Sequence, residues 1–513
     1  MKFILIIALL GLATVGYSQH NLISTHSFFR DKIFETSRTE AYNGNSFLPV
    51  TESNYNLQKH LKDTSVFYYD FAETAYKKHW FEIQTEDCYL TISPVFNFSL
   101  GRDLRDTASR NLFQNTRGFI IEGDIAKNFS FATTFYENQA RFSNYESDFI
   151  SSHGEFYTYP GYYKQLNGVV PGGTRTKKFR EDGYDYGFAQ GYVVYQPHKK
   201  VDIIVGNNQQ FIGSGYRSML LSDNSSAAPY LRLDYRISNR WSYTILKTRT
   251  MNVVRKLKKT TVEAYYQPKG FAVNYLSFQA TEKLNISLFE GSTWSMGDSL
   301  TTKRVNPLFY NPIPLISSLL NDSICSTIQG INVNWLLHPN ARIYGQFAVG
   351  SMEAKQFAFQ VGYRGNDYFI IKNLYTQIEY NFATSEMYKA TTDRLNYSHY
   401  NLALAHPKEN GFHEIVIRLG WEWKRIFAEV KSVNYFLVDH KKNDLLPVQF
   451  YTTVSNDKIS HNQLEFGYRI NKKLNWTLFG NIVYRKQTGA ENAQAFVINA
   501  GMRTSLLSHY NDY

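Results

Sequence analysis

The strongest constraint on this chain is a repeated alternation of apolar and polar side chains along short segments. Between Gly118 and Ile125, Phe119 and Ile121 fall on one face, while Glu122 and Asp124 fall on the other. Successive side chains of a strand point to opposite faces, so this period of two predicts strands with one apolar face. The same pattern recurs in other segments: 129–135, 331–337, 341–349, 357–363 and 464–470.

A soluble β-sandwich would also alternate, so the connections between segments matter. Short polar links fall near Lys127, His198, Asn239, Glu282, Pro339, Lys424 and Lys472. They alternate with long segments at 141–182, 292–323, 384–411 and 439–460. Outer-membrane barrels have short periplasmic turns and long extracellular loops, and an even strand number returns both ends to the periplasm. We predict an all-β fold, a transmembrane antiparallel β-barrel of about 18 strands between Cys88 and Leu507.

The first residues read as an export signal. Lys2 precedes an apolar run from Phe3 to Val15, followed by small residues, which predicts a signal peptide at 1–18 and a mature start at Gln19. Residues 19–87 predict a small periplasmic helical region, with helix-compatible stretches at Asn56–Lys62 and Asp70–His79. Residues 88–513 form the predicted outer-membrane barrel.

Composition supports this assignment. Aromatic residues make up 16% of the chain, with 39 Tyr and 37 Phe, although the mean hydropathy is −0.39. This combination is typical of a barrel with aromatic girdles and a wet interior. The formal charge of +11 suits anionic outer-membrane lipid or an acidic polymer, and export removes nucleic acid as a partner. The two cysteines, Cys88 and Cys325, are interpreted as packing residues rather than a disulfide.

The first candidate site is the segment Phe211–Asp223. Gly213 and Gly215 flank Ser214, so a tight turn folded into the barrel is the simpler interpretation. The functional alternative places Tyr216, Arg217 and Asp223 at a sugar-binding constriction. Arginine can hold the carboxylate of an acidic sugar through two parallel hydrogen bonds.

The second candidate site is the long segment 141–182, which is rich in aromatic rings. Tyr159, Tyr162 and Tyr163 are its candidate polysaccharide-binding residues, and basic residues follow them at 175–180. Aromatic rings can stack on sugar rings, and cations attract acidic polymers. The alternative is that these rings pack the segment into the barrel mouth.

Metal and catalytic sites have weak support. His399, His406 and His413 are spaced by seven residues, which suits neither one helix face nor a close strand pair. The sequence has no nucleophile elbow and no metalloprotease helix. We therefore expect a protein that is not an enzyme and uses no cofactor or metal.

Several strings together carry a family resemblance: Asn115–Phe119, Glu137–Arg141, Val170–Gly172, Phe211–Asp223, Tyr344–Gln346 and Leu404–Pro407. The sequence resembles the capsule-assembly Wzi-like family of the Bacteroidota, and especially its gliding-motility branch, from roughly Phe71 onward.

That resemblance implies an 18-stranded outer-membrane barrel with a periplasmic helical bundle and a lumen closed by infolded loops. It also implies attachment or assembly of surface polysaccharide, such as capsule, or a role in gliding motility with other surface proteins. A porin-like transport channel is the alternative.

Overall fold

The fold is taken from a computed structural model of the chain. It describes residues 21–36, 46–52, 61, 68–255, 266–297, 305–314, 316–320, 324–350, 355–367, 371–448, 454–490, 492–504 and 510–513.

Eighteen long strands of the described residues form one closed barrel, in which each strand is antiparallel to its neighbours. In chain order they are β1 Cys88–Asp103, β2 Asn111–Ile125, β3 Phe129–Arg141, β4 Gly183–His198, β5 Val201–Asn208, β6 Ala228–Arg236, β7 Trp241–Asn252, β8 Gln267–Gln279, β9 Leu284–Ser295, β10 Cys325–His338, β11 Ala341–Val349, β12 Phe357–Asn366, β13 Leu374–Ala383, β14 Phe412–Trp423, β15 Ile426–Leu437, β16 Lys458–Asn471, β17 Trp476–Thr488 and β18 Ala493–Arg503. The barrel closes where β18 pairs with β1, in the register Arg503 opposite Asn97. The predicted strand number and antiparallel topology are confirmed.

The outer surface of the barrel is apolar and the inner surface is polar. Along β16, Leu464, Phe466 and Tyr468 are exposed on the outside, whereas Arg469 is buried inside. A closed sheet has no free edge, so its backbone groups can be satisfied within hydrocarbon. Exposed apolar side chains around such a barrel match the lipid-facing band of outer-membrane proteins. The soluble sandwich is therefore excluded.

The connections differ in length between the two ends of the barrel. Short turns such as 126–128, 199–200 and 424–425 lie at what we call the short-turn end. Long segments such as 142–182 and 384–411 lie at the other end, the long-loop end. This asymmetry confirms the predicted alternation of short and long connections.

The core of the molecule lies inside the barrel. Leu22 and Phe47 from the N-terminal segment, Leu220 from the segment between β5 and β6, and Tyr510 after the last strand all join one buried apolar cluster. Strand residues such as Val416 complete that cluster. Infolded segments therefore fill the lumen, as the resemblance implies.

The region at 19–87 is partly helical. Helix α1 spans Ser27–Thr36, which the sequence did not predict, and helix α2 spans Asp70–Lys77, close to the predicted stretch at Asp70–His79. The predicted stretch Asn56–Lys62, apart from Leu61, and the signal peptide at 1–18 lie outside the described residues. Within α1, Ile33 is buried, and Asp31 contacts arginines of the barrel wall, so α1 lies inside the lumen rather than beneath the barrel.

A third helix, α3, spans Asn144–Ser152 at the long-loop end. No helix in the described part of the chain is long and apolar enough to cross a membrane. Cys88 and Cys325 are both free thiols, and Cys325 is buried beside Trp294.

Candidate functional site

The segment Phe211–Asp223 folds into the lumen. Phe211 and Ile212 pair as a short strand with Leu48 and Phe47 of the N-terminal segment. Gly213 has a φ of +120°, and a Cβ there would lie 2.3 Å from Nε2 of Gln346. Only glycine accommodates both this backbone angle and this close approach. The infolded turn considered from the sequence is thus observed.

Arg217 lies at the centre of a buried ionic network. Its Nε donates to Glu414 at 3.1 Å, and its Nη2 donates to Asp512 at 2.7 Å and to the Tyr435 hydroxyl at 2.8 Å. The backbone N–H groups of Tyr216 and Arg217 donate to the carboxylate of Glu379. These partners come from three strands of the wall, β13, β14 and β15, and from the chain after β18.

Asp512 and Asp223 are held by the same network. Burial alone would raise the pKa of the Asp512 carboxyl, but Arg217 and Lys431 beside it hold that pKa well below its usual range. Asp223 accepts a hydrogen bond of 2.7 Å from the Tyr510 hydroxyl. The structure therefore brings the predicted residues Tyr216, Arg217 and Asp223 together, but as buried groups that bind other parts of this chain.

The predicted tyrosines lie on a β-hairpin in the long segment between β3 and β4. Its strands are Glu155–Tyr159 and Tyr162–Leu166, joined through Pro160 and Gly161, whose φ is +82°. Proline followed by a glycine of positive φ suits a two-residue turn. A further strand, Val254–Arg255, pairs in parallel with the first of these strands, Glu155–Tyr159.

The base of the hairpin is fixed by buried groups. Phe156 is fully buried, and Glu155 forms an ion pair with Arg255 and accepts a 2.9 Å hydrogen bond from the Tyr266 hydroxyl. A buried ion pair with additional hydrogen bonds holds its partners in a defined geometry. The hairpin is therefore anchored at its base while its tip remains open.

The register of the hairpin separates the three tyrosines. Tyr159 is opposite Tyr162, and their rings stack with centroids 4.9 Å apart and an interplanar angle of 7°. Tyr163 pairs with Thr158, so it points to the other face. The side chains of Tyr159, Tyr162 and Tyr163 are 37%, 58% and 42% exposed, which leaves all three accessible.

Two residues that shape this hairpin, one exposed and one buried, were missed at the sequence level. Lys164 is exposed and pairs with Tyr157, which places its ammonium on the face that carries the Tyr159–Tyr162 stack. Arg255 lies over the Tyr157 ring at 4.8 Å. The alternation of side chains around Pro160–Gly161 predicts a hairpin. The hairpin register in turn determines which side chains share a face.

The three histidines have separate partners. His399 contacts the N–H of Met251, and His406 contacts Glu414 at 2.8 Å. His413 lies beside Phe382 and the Tyr380 hydroxyl. The residue opposite it is Phe382, on the outward face of β13, so His413 points away from the lumen.

The chain resembles known proteins in structure. No family model matches the sequence, and no curated protein matches it. The solved structure of Wzi from Escherichia coli, described as an outer-membrane protein involved in group 1 capsule assembly and a carbohydrate-binding β-barrel, is similar with a TM-score of 0.55. The identity is 12%, and the match covers 95% of this chain and 100% of Wzi.

Two porin structures match less well. OccAB4 of Acinetobacter baumannii has a TM-score of 0.43 at 12% identity, covering 82% of this chain and 98% of that one. OprD of Pseudomonas aeruginosa has a TM-score of 0.42 at 10% identity, covering 84% and 98%. The similarity to Wzi shows that the chain has the fold of an outer-membrane β-barrel over nearly its whole length.

Proposed function

We propose that this protein is a non-catalytic outer-membrane barrel that holds a surface polysaccharide at its long-loop end. The observation that carries the proposal is the exposed Tyr159–Tyr162 stack on an anchored hairpin, with Lys164 on the same face. Aromatic faces bind the apolar faces of sugar rings, and an ammonium group attracts acidic sugars. The carbohydrate binding described for Wzi supports the same chemistry here.

The biological role of this binding is inferred from the sequence segments that carry the family resemblance. They favour capsule attachment or assembly, surface gliding motility, or both, with a resemblance to the gliding protein RemB of the Bacteroidota. Each role needs a surface that retains a polymer outside the cell. The long-loop end is therefore proposed to face the exterior, and the short-turn end the periplasm.

The proposal is tested by polysaccharide retention. The purified, detergent-folded protein is immobilised and incubated with polysaccharide extracted from the surface of the producing cells. We expect Tyr162→Ala to weaken retention by up to about tenfold, because loss of an aromatic contact costs about 0.5–1.5 kcal/mol. Tyr159→Ala should act in the same direction, since the two rings form one stack.

Tyr163→Ala is the matched control, because this tyrosine has similar exposure but lies on the opposite face. A smaller effect of Tyr163→Ala assigns the binding face to Tyr159 and Tyr162. Absence of retention by the parent protein would contradict the proposal itself. A turnover assay on the bound glycan tests the expectation that the protein is not an enzyme.

A transport channel is the second candidate function, favoured by two polar cavities inside the barrel. A cavity of about 510 Å³ includes Asp367, Lys424 and Lys472 of the short-turn end in its lining. A cavity of about 280 Å³ shares His26 and Arg503 with it and extends to Tyr145 of α3. These cavities lie beside the infolded segments, and conductance measurements decide whether they form a passage.

A further inference from the structure

Helix α2, Asp70–Lys77, lies at the short-turn end beside exposed aromatic side chains. Its described residues include no buried side chain. Tyr68 and Tyr69, which directly precede it, are 99% and 78% exposed, and Phe71 is 83% exposed. An isolated helix of eight residues is not stable in water, so contacts outside the helix must hold it.

The backbone of α2 is attached to the rim of the barrel. The side-chain amide of Asn471, at the end of β16, donates to the carbonyl oxygens of Ala75 at 3.1 Å and Lys78 at 3.0 Å. The guanidinium of Arg425, in the turn between β14 and β15, lies 4.7 Å from the centre of the Tyr76 ring. These contacts fix the position of α2 but leave Tyr68, Tyr69 and Phe71 uncovered.

The helix is amphipathic. At 100° per residue, Phe71, Ala72 and Ala75 lie on one side, and Asp70, Thr74 and Lys77 lie on the other. Asp70 and Phe71 are therefore adjacent in sequence but point to different sides. This pattern is typical of a helix that lies in a membrane interface.

The chain leaves α2 directly into the lipid-facing wall. Strand Phe81–Gln84 pairs with β1, and its Phe81 and Ile83 are exposed on the outer side, opposite Ile92 and Leu90. Trp80 lies between the helix and this strand, with its ring 6.4 Å from that of Trp476 at the start of β17. The aromatic surface is thus continuous with the band that contacts hydrocarbon.

We propose that Tyr68, Tyr69, Phe71 and Trp80 insert into the headgroup region of the bilayer leaflet at the short-turn end. Tyr and Trp rings favour this region because they have an apolar body and a polar edge. Lys77 and Lys78 can extend their charged ends toward water from the same position. Helix α2 then acts as an interfacial anchor that sets the depth of the barrel in the membrane.

Nitroxide labelling of the full-length protein in vesicles of phosphatidylcholine and phosphatidylglycerol tests the proposal. The native thiols are removed by Cys88→Ser and Cys325→Ala, and single labels are placed by Phe71→Cys and, as the matched control, Asp70→Cys. The readout is the ratio of accessibility to oxygen, which concentrates in lipid, over accessibility to a water-soluble nickel chelate. References are Leu288→Cys on the exposed outer wall and Glu181→Cys in an exposed loop.

We expect a several-fold higher ratio at position 71 than at position 70, with position 71 between the values at 181 and 288, as the headgroup depth requires. Equal, water-like ratios at 70, 71 and 181 would overturn the proposal and indicate an aqueous or protein-facing helix. Each variant is first shown to retain the barrel by its heat-dependent mobility on a gel. The result is independent of polysaccharide retention, so failure of one proposal is distinguishable from failure of the other.

Discussion

At the residue scale, Arg217 links parts of the chain that are distant in sequence. It joins the infolded segment to Glu414 of the wall and to Asp512 after the last strand. All three side chains are fully removed from water. Removing one partner of such a group leaves charges buried without compensation.

We therefore predict that Arg217→Ala lowers the free energy of unfolding by about 3–5 kcal/mol, the usual cost of breaking a buried ion pair. Chemical denaturation of the detergent-folded protein, followed by loss of β-sheet circular dichroism, measures this change. Arg180→Ala is the control, because Arg180 is exposed and its loss should change stability by less than about 0.5 kcal/mol. Similar midpoints for both variants would show that the network is not stabilising.

The same residue separates what the sequence could predict from what it could not. Alternation along the strands predicted polar side chains such as Arg342 and Glu465 for the interior, and they lie there. It could not predict that Arg217 binds Asp512, because no local pattern relates residues almost 300 positions apart. The predicted sugar contact for Arg217 was a chemically reasonable use of a guanidinium whose internal partners were unknown.

At the scale of elements, α1 is held inside the lumen by a carboxylate between two arginines. Asp31 lies 3.1 Å from Arg364 and 3.0 Å from Arg418, which belong to β12 and β14. Burial alone would raise the pKa of the Asp31 carboxyl, but Arg418 and Arg364 hold it below its ordinary value. This attachment of α1 depends on the negative charge of Asp31.

We predict that Asp31→Asn loosens α1, detected as faster backbone hydrogen exchange in residues 21–36. In the parent protein, the depressed pKa means that the stabilisation is complete above the unfolded value of about 4 and is lost as the pH falls through the folded pKa. The variant should therefore show less change in exchange protection between pH 6 and pH 3 than the parent. Asp87→Asn, at an exposed carboxylate, is the control and should retain the parent protection at pH 6.

The long segment 142–182 contains regular secondary structure. It was predicted as an extracellular loop with aromatic side chains, yet it forms α3 and the hairpin at 155–166. Both were encoded locally: Ser143 and Glu146 form a capping box, and Pro160–Gly161 forms the hairpin turn. The pairing of Val254–Arg255 with this hairpin is not local, and no pattern within either segment predicts it.

At the scale of the whole molecule, the barrel wall follows a local sequence pattern, whereas the segments inside the lumen, its contents, are held by long-range contacts. The strands of the wall show a side-chain period of two. Their number and the outward face of each strand could therefore be predicted from the sequence. The contents include three distant parts of the chain that bind one another. Phe47 and Leu48 pair with Ile212 and Phe211, and Tyr510 binds Asp223 of the same infolded segment.

This interlocking favours a closed lumen. We predict that the purified parent protein gives no stable single-channel steps in a planar bilayer, because the infolded segment, α1 and the chain at 510–513 all occupy the lumen. Asp31→Asn alone should also remain silent, since α1 is only one of the three and the Arg217 network still holds the other two. Regular conductance steps from the parent would instead show that the two polar cavities join into an open passage, and would favour the transport function. Steps that appear only in Asp31→Asn would identify α1 as the single barrier to that passage.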